Sequence, residues 1–215
     1  NGVKDTATAG NTVPANSTAS FTTWILSRGF VLFEAYDTSS TGGTAVSLLT
    51  AHPNYPNNPR EQLYMSEFNT RPVYPNDTHE QFGARMSGYF IAPSNGFYRF
   101  FVRSDDASQL FMSTNNATST DPAAKVLIAK EDGCCNAYTS TAAGGPRVSP
   151  GISMVGGQKY YIEGLLKEAG GGDYVQVAFR EAAVTLAPPD SESMAAQFLT
   201  SVKTIIPKRL PHSQA

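Results

Sequence analysis

Charge is scarce in this chain of 215 residues: only 16% are Asp, Glu, Lys or Arg, and the formal net charge is −2. Without a basic excess there is no electrostatic hold on a nucleic-acid backbone or an anionic membrane. Long hydrophobic runs are missing as well. None approaches the roughly 20 residues needed to cross a bilayer, so no direct membrane insertion is expected. Cysteine is limited to the adjacent pair Cys134 and Cys135. Two neighbouring thiols without a nearby histidine or second pair make a poor zinc site. Three readings stay open for them: a vicinal disulfide in an oxidising compartment, free thiols, or bridges to cysteines elsewhere. Enzyme signatures are also lacking. His79-Glu80 begins a metalloprotease-like string, but Gly83 stands where the second histidine would fall. There is no Gly-x-Ser-x-Gly elbow and no phosphate-binding loop. His52, His79 and His212 are scattered, and the chain is expected not to be an enzyme.

Small polar residues fill the deficit, with 18 Gly and 14 Pro punctuating them. Hydrophobic residues still make up 40%, enough for one buried core with flanking segments. The chain begins at Asn1 with no signal-peptide pattern before it, as expected of a processed product or a piece of something larger. Three sequons, at Asn16, Asn76 and Asn116, lie in polar stretches and are candidate glycosylation sites.

Residues 1–23 carry almost no bulky apolar side chain and read as a linker or extended arm. A β domain is expected over 24–186. Its strand candidates are Phe30–Tyr36, Arg85–Ile91, Phe97–Arg103, Ser108–Ser113, Lys125–Lys130, Gln158–Lys167 and Tyr174–Glu181. In the last of these Val175, Val177 and Phe179 alternate, which places them on one face. Many short strands separated by Gly, Pro and Asn predict an all-β antiparallel sandwich with long loops. Pro188-Pro189 marks a boundary, and 187–215 is read as a C-terminal linker and helix segment. There Met194, Phe198, Leu199, Val202, Ile205 and Ile206 recur at three- and four-residue spacing, which predicts a short amphipathic helix over 194–206 ending before Pro207.

Three segments in fixed order carry more information: Gly83-Ala84-Arg85-Met86-Ser87-Gly88-Tyr89-Phe90, Gly96-Phe97-Tyr98-Arg99-Phe100, and Ser104-Asp105-Asp106-Ala107-Ser108-Gln109-Leu110-Phe111. Tyr160-Tyr161-Ile162-Glu163 follows, leading to Lys167-Glu168-Ala169-Gly170-Gly171-Gly172-Asp173. Together, over residues 28–182, they resemble the anthrax-protective-antigen-type domain. This β-sandwich is shared by bacterial toxins and adhesins, fungal flocculins and many glycan-processing enzymes.

The resemblance implies a calcium site at Asp105 and Asp106, with Glu168, Gly170 and Asp173 in the matching loop. In the resembled lectins the paired aspartates are joined by a cis peptide. Calcium takes about six to eight oxygen ligands, and a glycine run can fold tightly enough to turn carbonyls toward a cation. Sugar hydroxyls then replace calcium waters, so Asp105 and Asp106 are carbohydrate-site residues too. Tyr138 and Tyr174 are candidates for stacking on the sugar, beside the Glu131-to-Asn136 loop. The expected function is calcium-dependent glycan binding on a cell surface or matrix, within a larger extracellular adhesion protein that supplies neighbouring domains. The alternative is a structural or assembly module of such a protein without sugar binding.

Overall fold

A computed structural model describes residues 28–201, in which two antiparallel sheets pack face to face. The larger sheet has the order β2-β1-β3-β8-β5-β6, formed by Glu61–Met65, Val31–Asp37, Phe82–Ile91, Lys159–Lys167, Ala107–Met112 and Val126–Glu131. The smaller has the order β7-β4-β9, formed by Ile152–Met154, Gly96–Asp105 and Tyr174–Glu181.

The strands follow from alternation. Phe33 and Ala35 on β1, Ala84 and Met86 on β3, Leu110 and Met112 on β5, and Tyr160 and Ile162 on β8 are inward. They meet Tyr98, Phe100 and Val102 of β4 and Val175 and Val177 of β9. Period two continues along β8 to Gly164, where a Cβ would lie 2.8 Å from the Phe68 ring; Phe68 fills the gap that the glycine leaves. A short helix, α1 (Val46–Thr50), covers part of the outer face of the larger sheet. Its Val46 and Leu49 join Tyr36, Ala107 and Leu165 in a second cluster.

The C-terminal segment departs from the sequence expectation. Residues 194–201 do not form an α-helix. Ala196–Phe198 make one 3-10 turn, and Leu199–Ser201 form a tenth strand, β10, paired antiparallel with β3. The apolar residues recur for another reason: Met194 and Leu199 are in the core, and the Phe198 ring packs 4.8 Å from Phe179. The boundary expected at 187–192 does not end the packing, since the chain returns beyond it to complete the larger sheet. The expected arm over 1–23, Asn16 and the remainder of the predicted helix, 202–206, lie outside the described residues.

Candidate functional site

Strand β4 belongs to the smaller sheet and β5 to the larger; β8 belongs to the larger and β9 to the smaller. The β4–β5 turn and the β8–β9 loop therefore both cross between sheets. They cross at the same end, because Ala107 pairs with Lys167 and Asp105 pairs with Tyr174. Topology brings together two acidic segments that are about sixty residues apart in sequence.

At this end Asp105, Asp106 and Glu168 place carboxylate oxygens within 4.8 Å of one another. The Asp105–Asp106 peptide is cis. The Asp106 amide donates to Glu168 Oε2 at 2.8 Å, and the Ala169 amide donates to Asp106 Oδ2 at 3.1 Å. Ser104 Oγ donates to the Asp106 carbonyl at 2.6 Å and holds the turn from behind. Glu168 is fully buried, and its Oε1 has no hydrogen-bond partner. A buried acceptor without a donor is costly. A hard cation would satisfy it, so the residues present fit calcium.

Electrostatics agree. Burial first, then Asp106, pushes the Glu168 carboxyl up to about 8. Burial and then Asp106 also raise Asp105. The fully buried Lys167 donates from Nζ to the Glu168 carbonyl at 2.6 Å, and burial lowers its own pKa.

The glycines have distinct parts. A Cβ on Gly172 would lie 2.4 Å from Asp105 Oδ2, so only glycine admits the carboxylate there. Gly171 takes a φ of +112°, which favours glycine, and its amide donates to Glu80 Oε2 at 3.2 Å. Gly170 is exposed, with Glu80 3.0 Å from the position its Cβ would take. Asp173 is fully buried but turned aside. Its Oδ2 accepts from the His79 amide at 2.6 Å, and its carboxylate is not among the three that converge.

Cys134 and Cys135 are joined in a disulfide. Cys135 Sγ lies 3.3 Å from Asp105 Oδ2, a contact rather than a hydrogen bond, since a disulfide sulfur carries no proton. The Cys135 amide donates to the Ser104 carbonyl at 2.9 Å, which fixes this loop beside the carboxylates.

The tyrosines sit differently from the expectation. Tyr138 is buried against Phe101, and its hydroxyl donates to the Glu192 carbonyl at 3.1 Å. Tyr174 is buried too, with the guanidinium groups of Arg71 and Arg103 at 4.5 and 4.9 Å from its ring centroid. Neither ring presents an open face for stacking. Asn76 and Asn116 are both exposed, although Asn116 Oδ1 accepts from the Tyr160 hydroxyl at 2.5 Å. Sequence reasoning gave no part in this site to Lys167 or to the segment from Arg71 to Glu80, which braces the glycine loop. No spacing signal links that segment to residues about ninety positions later.

A sandwich whose two sheet-crossing turns converge on a carboxylate cluster defines a class of β domain. The PA14 domain model matches residues 68–193, and this chain belongs to the PA14 domain family. Among curated proteins it is similar to Fibrocystin-L of Mus musculus, 36% identical over 89 residues, or 41% of this chain and 2% of that protein. It is 35% identical over 89 residues to Fibrocystin-L of Homo sapiens, with the same coverage. The chain thus spans about 2% of the length of these relatives.

Among solved structures, the PA14 domain of the MpAFP antifreeze protein superposes with a TM-score of 0.56 at 13% identity, covering 86% of this chain and 96% of that one. The Epithelial Adhesin 6 A domain of Candida glabrata, solved with Galb1-3GlcNAc, gives 0.52 at 12% identity, covering 88% and 91%. A PA14 sugar-binding domain from an RTX adhesin gives 0.51 at 13%, covering 78% and 99%. At these identities the likeness is one of fold. Among the described residues no helix is long and apolar enough to cross a membrane.

Proposed function

We propose that this chain is a calcium-dependent carbohydrate-binding module of a larger extracellular or cell-surface protein, and that it mediates adhesion. The observation that carries the reading is the convergence of Asp105, Asp106 and Glu168 around a buried, unpartnered carboxylate oxygen. Sugar-binding domains among its structural neighbours support it. So does the disulfide, which belongs to an oxidising compartment.

Asp105, Asp106 and Glu168 would hold the ion, with Gly170 and Asp173 shaping the loop around it. Bound there, calcium would supply coordination positions that sugar hydroxyls can take in place of water. The chain's own part is to fix the carboxylates. The Asp106 and Ala169 amides orient two of them, Gly172 makes room for the third, and the disulfide loop walls one side.

The test is titration of a glycan panel with calcium and then with chelator, alongside circular dichroism. Binding should vanish in chelator while the β spectrum persists. The core is built from apolar side chains and includes none of the three carboxylates, and one bound ion adds only a few kcal/mol at moderate excess. Binding that survives chelation would refute calcium dependence.

A second reading, a structural module that packs on neighbouring domains, is favoured by Phe97, Val184 and Leu186. They are exposed apolar side chains, Phe97 at the end of β4 opposite Asp105 and the other two past the last residue of β9. Calcium binding without binding to any glycan would select it.

A further inference from the structure

The rim of the acidic end carries arginine where a stacking aromatic was expected. Asp105 and Tyr174 are cross-strand partners, so their side chains share the outer face of the smaller sheet. Arg103 lies two residues back along β4 and therefore on the same face.

Four of the five Arg103 donors are engaged, Nε at the Asn136 carbonyl among them. Arg103 also donates to the Tyr174 hydroxyl at 3.1 Å, to Gln176 Oε1 at 3.0 Å and to the Asp190 carbonyl at 2.9 Å. Its effect is to clamp Tyr174. The Tyr174 ring then serves as a shelf for the Arg71 guanidinium, 4.5 Å from the centroid.

Arg71 itself is not saturated. It has five N–H donors, yet among the described residues the guanidinium bonds only to Asp77 Oδ1, through Nη1. This pair is open to solvent, with side-chain exposures of 32% and 48%, and exposed ion pairs are weak. Asp77 Oδ1 also accepts from the Asp173 amide at 3.1 Å, which ties the pair to the glycine loop.

We propose that Arg71 is a specificity residue that selects glycans bearing an anionic group, a carboxylate or a sulfate ester, next to the hydroxyls engaged at the carboxylate cluster. The inference rests on the reading of that cluster as an ion-assisted sugar site. A planar guanidinium with free donors, held over a ring, matches such an oxyanion in two-point geometry. The ligand anion takes the place of Asp77 on the guanidinium, while Asp77 Oδ1 keeps its bond from the Asp173 amide. Selection depends on the cation. Without it, the anion meets the acidic cluster with no cation to offset its charge.

The experiment measures binding of the whole chain, in calcium, to two matched pairs: galactose with galactose 6-sulfate, and glucose with glucuronic acid. The pairs separate sulfate from carboxylate as the group selected. In at least one pair the charged member should bind on the order of tenfold tighter, as charge-assisted hydrogen bonds allow. Arg71→Gln should bring that ratio close to one. Asp77→Asn keeps the acceptor for the Asp173 amide, removes the competing charge, and should widen the ratio. If Arg71→Gln does not fold, as judged by its melt, Asp77→Asn still decides. Equal binding of charged and neutral members by the parent chain, or a ratio unmoved by either variant, overturns the inference. A preference that persists in chelator also overturns it, because charge alone would then be the attraction. Binding of no glycan while calcium binds is a different result, and removes the proposed function itself.

Discussion

With Oε2 tied to the Asp106 amide, Glu168 leaves its second oxygen buried and without a donor, beside two further carboxylates. The consequence is a pH-dependent stability. Glu168 titrates at 4.5 by its ordinary value and at about 8 in the fold, because burial and then Asp106 favour its neutral form. A pKa raised by folding contributes stability that is complete below the unfolded value and lost as pH rises through the folded one. Asp105 and Asp173, also raised by burial, act in the same direction. In metal-free buffer the melting temperature should fall between about pH 5 and about pH 8, and calcium should flatten the slope. Thermal melts across that range, with and without calcium, check this; a flat or rising profile in metal-free buffer would show that the carboxylates are not crowded. Gly172→Ala gives an independent test. The added methyl meets the end of the Asp105 side chain, 2.4 Å away, so the carboxylate moves more easily than the backbone. The variant should fold with a loss of no more than about 1–3 kcal/mol. Its calcium affinity should fall clearly by calorimetry, and unchanged affinity would remove Asp105 from the ligand set.

At the scale of the element, β10 makes the sharpest prediction. Leu199 is fully buried and pairs with Phe90. Leu199→Ala should therefore destabilise the domain by about 2–5 kcal/mol, a core penalty rather than that of a loose tail. Chemical denaturation measures it, and a loss below about 1 kcal/mol would mean that β10 is not part of the core. This segment also shows why the sequence misled. Met194, Phe198 and Leu199 have helical spacing, but each is apolar because of its own packing partner. Periodicity cannot separate an amphipathic helix from a turn leading into a strand when the run is this short. Longer strands were legible, since β4, β8 and β9 extend far enough for alternation and turn residues to agree. The candidate site was legible only in part. Asp105, Asp106 and Glu168 could be given parts from the ordered resemblance, while Arg71, Asp77 and Lys167 could not. Their roles exist only once β4–β5 meets β8–β9 and the segment before β3 folds against them. Tyr138 and Tyr174 could be taken as stacking candidates because burial beneath an arginine leaves no trace in sequence.

At the scale of the whole molecule, the chain closes on itself. Arg28 bridges Thr200 in antiparallel pairing, and the Gly29 amide donates to the Leu199 carbonyl at 2.8 Å. Gly88 marks the place where one side of β3 passes from β10 to β1; a Cβ there would press on both Val31 and the Thr200 carbonyl, at 2.8 and 3.0 Å. The described chain thus enters and leaves side by side, with its two ends running in opposite senses. A pull on the flanking segments would load these contacts one after another, like an opening zip, instead of all together in shear. The turns that carry Asp106 and Glu168 stay out of the path of the force until β10 and β1 have peeled from β3. Under the proposed role, with tension on both ends, the paired ends would yield before the carboxylate cluster.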